Sequence, residues 1–211
     1  MTPTLRHLFT AAALTVAMAA SATAQTTIVG FDDLPVNTSF DNPMPTGYGG
    51  IDWQGADWYY LTCGVVFNCP TPGPDPYPYT PHSFPGMATV GYDVNGTNLQ
   101  QFGFVGGPKV FNGAWVTTFD NDIFGYVLML NGNVVHTTPI MTSNAAPSFA
   151  ASGYSGPVDQ VIIVSSDIGD WAIDDLSYTA LPVPEPGTLP MMASALAVFG
   201  ALLHRRRRRG A

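Results

Sequence analysis

Between Gln25 and Thr179 no stretch of the sequence repeats its apolar residues with a helical period, and this constrains the fold most. In place of such a period there are short runs rich in Val, Ile, Thr and aromatic residues. They are Thr26–Phe31, Met87–Val94, Gln100–Val105, Val110–Phe119, Ile123–Leu130, Val134–Met141, Ser148–Ser152, Val158–Ser165 and Trp171–Thr179. Gly, Pro, Asn and Asp separate them, which is the punctuation of strands. Asn131-Gly132 lies between two apolar runs and accepts the positive φ of a type I′ hairpin turn. The pattern predicts an all-β chain, a single β-sandwich of jelly-roll type over residues 25–180. Asn42–Pro85 interrupts it, and Pro70–Pro85 holds seven prolines. That stretch is expected to be an extended surface loop, since proline cannot donate to a ladder.

The two ends read as addresses. Arg6 and His7 precede the apolar run Leu8–Ala20, and Ala22-Thr23-Ala24 supplies small residues for cleavage before Gln25. Residues 1–24 are therefore expected to be a secretory signal peptide. Near the C-terminus, Leu189–Leu203 is apolar but for Ser194, Pro190 and Gly200, and Arg205–Arg209 follow it. Extended from Gly187 to His204, a helix would reach about 27 Å, and arginines can snorkel across the remainder. A transmembrane helix is expected over 188–204, with the arginines cytoplasmic and the body outside.

The formal net charge of −8 conceals an asymmetry. From Gln25 to Pro184 a single cation, Lys109, faces fourteen aspartates, leaving a net −13. Such a body has almost nothing with which to neutralise phosphates, which excludes nucleic acid as a partner.

Val183-Pro184-Glu185-Pro186-Gly187-Thr188-Leu189, a short apolar helix and a terminal arginine cluster together resemble the PEP-CTERM sorting signal of Gram-negative bacteria. The resemblance covers residues 181–211, with Pro184, Glu185 and Pro186 as the sorting motif. It implies an exosortase as processing partner, cleavage near that motif, and transfer from the inner membrane to the cell surface or matrix. It also implies an association with exopolysaccharide. A weaker resemblance links Phe31-Asp32-Asp33-Leu34, Pro45–Trp53 and Ala172-Ile173-Asp174-Asp175-Leu176 to galactose-binding-like and carbohydrate-binding jelly rolls. In such folds the first and last strands are neighbours, which would bring the two Asp-Asp pairs together.

Candidate chemistry is sparse. Cys63 and Cys69, six apart, read as a local disulfide in an exported chain. Asp32, Asp33, Asp174 and Asp175 are candidate ligands for a structural calcium, a hard ion that takes six to eight oxygens. The alternative is that these aspartates only end strands and start turns. Trp53, Trp58, Tyr59 and Tyr60 form an aromatic cluster suited to stacking on sugar rings, or else to core packing. No Glu precedes Glu185, no Gly-x-Ser-x-Gly elbow occurs, and His82 and His136 read as structural. The expected function is thus an exosortase-sorted surface protein with a non-catalytic, glycan-binding sandwich. A structural or adhesive matrix component is the alternative, and a secreted hydrolase the third reading.

Overall fold

The computed structural model describes residues 24–36, 42–53, 58–63, 79–91, 100–118, 121–182, 194–196 and 198–199. Twelve strands occur among them: β1 Thr26–Val29, β2 Ile51–Asp52, β3 Trp58–Thr62, β4 Gly86–Val90, β5 Gln101–Phe104 and β6 Lys109–Thr118. They continue with β7 Asp122–Leu130, β8 Asn133–Thr137, β9 Met141–Ser143, β10 Ser148–Ala151, β11 Gln160–Ser165 and β12 Trp171–Ala180. All named pairs are antiparallel. The first sheet runs β10-β6-β12-β4-β3, with β1 also on β12; the second runs β2-β5-β11-β7-β8, with β9 also on β7. Residues 25–181 make one compact unit, and residues 1–24 with 182–211 make the other.

Local chemistry explains most boundaries. Asn131 and Gly132 take φ of 52° and 74° between β7 and β8, as the hairpin signal requires. The expected strand Val134–Met141 divides into β8 and β9, because Pro139 has no N–H to give. Opposite the break, Thr138 substitutes its side chain: Tyr126 N donates to Thr138 Oγ1 at 2.8 Å. β1 stops at Val29 because Phe31 turns into positive φ, 58°, and carries the chain away. The segment expected to be irregular from Asn42 to Pro85 contains β2 and β3 as well as a short 3-10 turn, Tyr48–Gly50. Trp58-Tyr-Tyr-Leu-Thr62 is β-prone, and aromatic clustering drew the sequence reading towards binding instead of pairing.

The two sheets close on one core. Six aromatic rings from both sheets form a closed circuit of edge contacts: Trp58, Phe102, Phe111, Tyr126, Phe124 and Trp171, then back to Trp58. Successive centroids lie 4.9–6.1 Å apart at 69–89°. Each such pair contributes about 0.5–1.5 kcal/mol beyond its buried area. Strand alternation sends the intervening side chains to the other face of the first sheet. There Leu61, Cys63, Met87 and Ala172 join Tyr79 in a second, smaller cluster.

Much of the two ends lies outside the described residues, including the expected signal peptide and Pro184, Glu185 and Pro186. Within the expected membrane segment, 194–196 and 198–199 are helical. Among the described residues, no helix is long and apolar enough to cross a membrane.

Candidate functional site

β12 has β6 along one side, from Trp171↔Thr118 to Ala180↔Lys109. Its other side is shared. β4 meets it at Ile173↔Ala88, and β1 from Leu176↔Val29 to Thr179↔Thr26. Between these two neighbours the sheet forks, at Asp174 and Asp175. The register of β12 slips there, and Asp175 adopts φ 44°. Backbone N–H groups that lose ladder partners at the fork find carboxylates instead. Asp174 Oδ2 accepts from Ser83 N at 2.7 Å and its Oδ1 from Asp175 N at 2.7 Å. Asp32 Oδ1 accepts from Gly86 N at 2.8 Å. Gly86 is obligatory here, since a Cβ would collide with the Phe31 carbonyl.

The expected meeting of the two Asp-Asp pairs is thus three-quarters realised. Asp32, Asp174 and Asp175 converge; Ser83 links the last two, its Oγ lying 3.2 Å from both Asp174 Oδ2 and Asp175 Oδ1, while Asp32 is held by Gly86 N. Asp33 turns away and accepts from the Tyr48 hydroxyl. Burial and the nearby Asp33 push the Tyr48 phenol well above its usual range. Those two residues, with Asp32 and Ile28, line an open groove of about 380 Å³. Asp174 is 3% exposed. Burial pushes its carboxyl up to about 7, reinforced by Asp175 and Asp32 and opposed by the two N–H bonds.

On the outer face, Asp175 Oδ2 holds His82 Nδ1 at 2.7 Å. The His82 ring lies flat on Trp115, with centroids 3.6 Å apart at 9°. Phe149, across the ladder from Trp115 on β10, packs on its far side at 5.7 Å. Phe84, two residues after His82, is 63% exposed, and Phe149 is 41% exposed. Trp115 was legible in principle. It sits between core residues Ala114 and Val116, so strand period two puts it on the outer face.

The aromatic cluster expected to bind sugar is instead divided by the same alternation. Trp58 and Tyr60 are 2% and 8% exposed and belong to the core. Trp58 donates its Nε1 to Gln101 O at 2.9 Å and is packed by Trp53, Phe102 and Trp171, so its ring is not open to a ligand. Trp53 is half-buried against Trp58 and Phe31, and Tyr59 is half-buried on β3. Cys63 follows β3 and is 4% exposed, while Cys69 lies outside the described residues. Among the described residues no group of three or more His, Cys, Asp or Glu is arranged to hold a metal.

In sequence this acidic sandwich is followed by the PEP-CTERM protein-sorting motif, which matches residues 182–209. The motif implies an exported, exosortase-processed protein of the cell surface. No curated protein and no solved structure matches the chain.

Proposed function

We propose that this is an exosortase-sorted surface or extracellular-matrix protein whose jelly-roll-like sandwich binds glycan and carries no catalytic centre. The sorting motif at 182–209 is the observation that carries the reading. Residues 1–24 direct export, the helix over 188–204 holds the precursor in the inner membrane, and Pro184, Glu185 and Pro186 are read by the exosortase. In a host that has the enzyme, the surface form is expected to lack Arg205–Arg209. Mass spectrometry that finds those arginines intact at the surface would overturn it. Glycan binding is supported by the ring-bearing outer face of the first sheet. A surface form that binds no glycan would be the passive matrix component instead.

A Cys63–Cys69 disulfide belongs to the same reading, since it would tie the loop after β3 to the small outer cluster. Closing so short a loop contributes about 2 kcal/mol. Cys63→Ser is expected to lower the melting temperature and expose Cys69 to thiol reagents. Two titratable thiols in wild-type protein isolated without reductant would exclude the bond.

Calcium at the fork is a second reading, favoured by the carboxylate and hydroxyl oxygens gathered around Gly30. A Cβ there would lie 3.0 Å from Asp175 Oδ1, 3.5 Å from Asp32 Oδ2 and 3.6 Å from Ser83 Oγ. Oxygens brought together from separate segments suit a hard cation, with Asp174 beside them. Calcium at 100 times its dissociation constant would stabilise the fold by about 2.7 kcal/mol. The expected result is a melting temperature raised by calcium beyond matched magnesium, and no such difference in Asp175→Asn, which removes one of the carboxylates. Equal responses to both ions in the wild type would leave the aspartates as caps of the fork alone.

A further inference from the structure

We propose that the glycan site is the outer face of the first sheet at His82, Trp115 and Phe149, with Phe84 two residues on from His82, and that it selects an uncharged polysaccharide. The proposal rests on the glycan-binding reading above and names its site and ligand class. Three rings in continuous contact form a row on this face, and the row is held before any ligand arrives. Trp115 is flanked by its neighbours on β6, His82 is fixed by Asp175 Oδ2 at 2.7 Å and by the Trp115 face, and Phe149 braces the other side. Rings held in this way lose little freedom on binding, so more of the contact energy appears as affinity. Soluble proteins rarely leave contiguous ring surface open without use, and Phe149, in contact with Trp115, is 41% exposed, with Phe84, two residues after His82, 63% exposed. The apolar C–H faces of a pyranose ring complement such surfaces, and His82 and Asp175 offer hydrogen-bonding groups at the end of the row.

Charge narrows the ligand. Asp174, Asp175 and Asp32 lie behind the row, in a body of net −13. Lys109 is the only lysine or arginine among the described residues, and it stands six positions from Trp115 on β6, about 20 Å along the strand. A uronate or sulfated polymer would meet repulsion here, with no lysine or arginine of the described residues within a Debye length. A neutral polymer pays no such cost.

The test is native affinity electrophoresis at pH 8 of the full-length protein in mild detergent. The gels hold a neutral glucan, mannan or galactan, or alginate as the polyuronate. Retardation by at least one neutral polymer and none by alginate is expected. Phe149→Ala and Phe84→Ala should each weaken binding about tenfold, the equivalent of 1.4 kcal/mol, and Phe84→Ala, at a ring 63% exposed, should leave the melting temperature unchanged. Neutral-glycan binding that survives both substitutions would overturn the site and leave the glycan reading standing. Equal retardation by alginate would overturn the charge selection. No retardation by any of the polymers would overturn the glycan reading itself.

Discussion

Raising the pH from 4.5 to 8 in the presence of a chelator is expected to lower the melting temperature, and Asp174→Asn should flatten the fall. The Asp174 carboxyl is pushed up to about 7 in the native state, chiefly by burial. In the unfolded chain it ionises at an ordinary value near 4. Below that value both states are protonated, and the stability linked to this group is fully present. As pH rises towards 7 the unfolded chain gives up its proton first, so unfolding gains free energy. Once pH has passed the native value both states are ionised and the contribution is gone. A shift of about three units corresponds to roughly 4 kcal/mol, or about 10 °C for a domain of this size. The groups around Asp174 are Asp175, Asp32, Ser83 and, through Asp175, His82. Self-repulsion of the acidic body adds a background slope common to both proteins. Asp174→Asn loses one N–H acceptor, so its absolute stability is lower at pH 4.5, and the decisive quantity is the slope. Identical slopes in the two proteins would show that Asp174 titrates like an ordinary surface carboxylate.

Trp171→Ala is expected to be the most damaging single substitution, at about 4–5 kcal/mol. The ring is completely buried and closes the aromatic circuit between Trp58 and Phe124. Its removal opens a cavity and breaks two edge contacts. It also removes one of the two donors to Gln100 Oε1, the 2.6 Å bond from Trp171 Nε1, leaving only Ser165 Oγ at 2.9 Å. Against a typical total of about 5–15 kcal/mol, such a loss leaves little or no folded protein at 37 °C. Trp171→Phe keeps most of the volume and should recover at least half of the loss, as measured by urea unfolding. A midpoint for Trp171→Ala within 1 kcal/mol of wild type, on the order of one buried methylene, would mean the circuit is not what holds the sheets together.

The all-β class and most strands were legible because their residues alternate and their turns are chemically marked. Asn131-Gly132 is the clearest instance, and Trp171–Thr179 differs from β12 by one residue. Adjacency of the first and last strands came from resemblance to jelly rolls, and the pairing of β1 with β12 agrees with it. β2 and β3 were missed for a physical reason. Tyr59 and Tyr60 belong to opposite faces of one strand, but a run of adjacent aromatics hides its own period. The grouping of Asp32, Asp33, Asp174 and Asp175 followed from that same resemblance, which sets two Asp-Asp pairs on neighbouring strands. That Asp33 leaves the group follows from the Tyr48 hydroxyl, 15 residues away. The ring row was beyond reach because it assembles three separate segments, at residues 82, 115 and 149. Only the stacking of β10 and the turn before β4 around β6 and β12 brings them together.

β12 pairs with β1, β4 and β6, so the first sheet has no centre until the last strand of the body is in place. In an exported chain that emerges N-terminus first, β1 waits for roughly 150 residues before its partner arrives. Long-range pairing of this kind is slow, and the waiting chain exposes apolar faces and strand edges. Residue 181 alone separates β12 from the start of the sorting motif at 182. Completion of the sheet and arrival of the sorting sequence are therefore nearly simultaneous events. An enzyme that reads the motif on the far side of the membrane meets only chains whose final strand has already crossed, and position in the chain thereby acts as a clock on assembly.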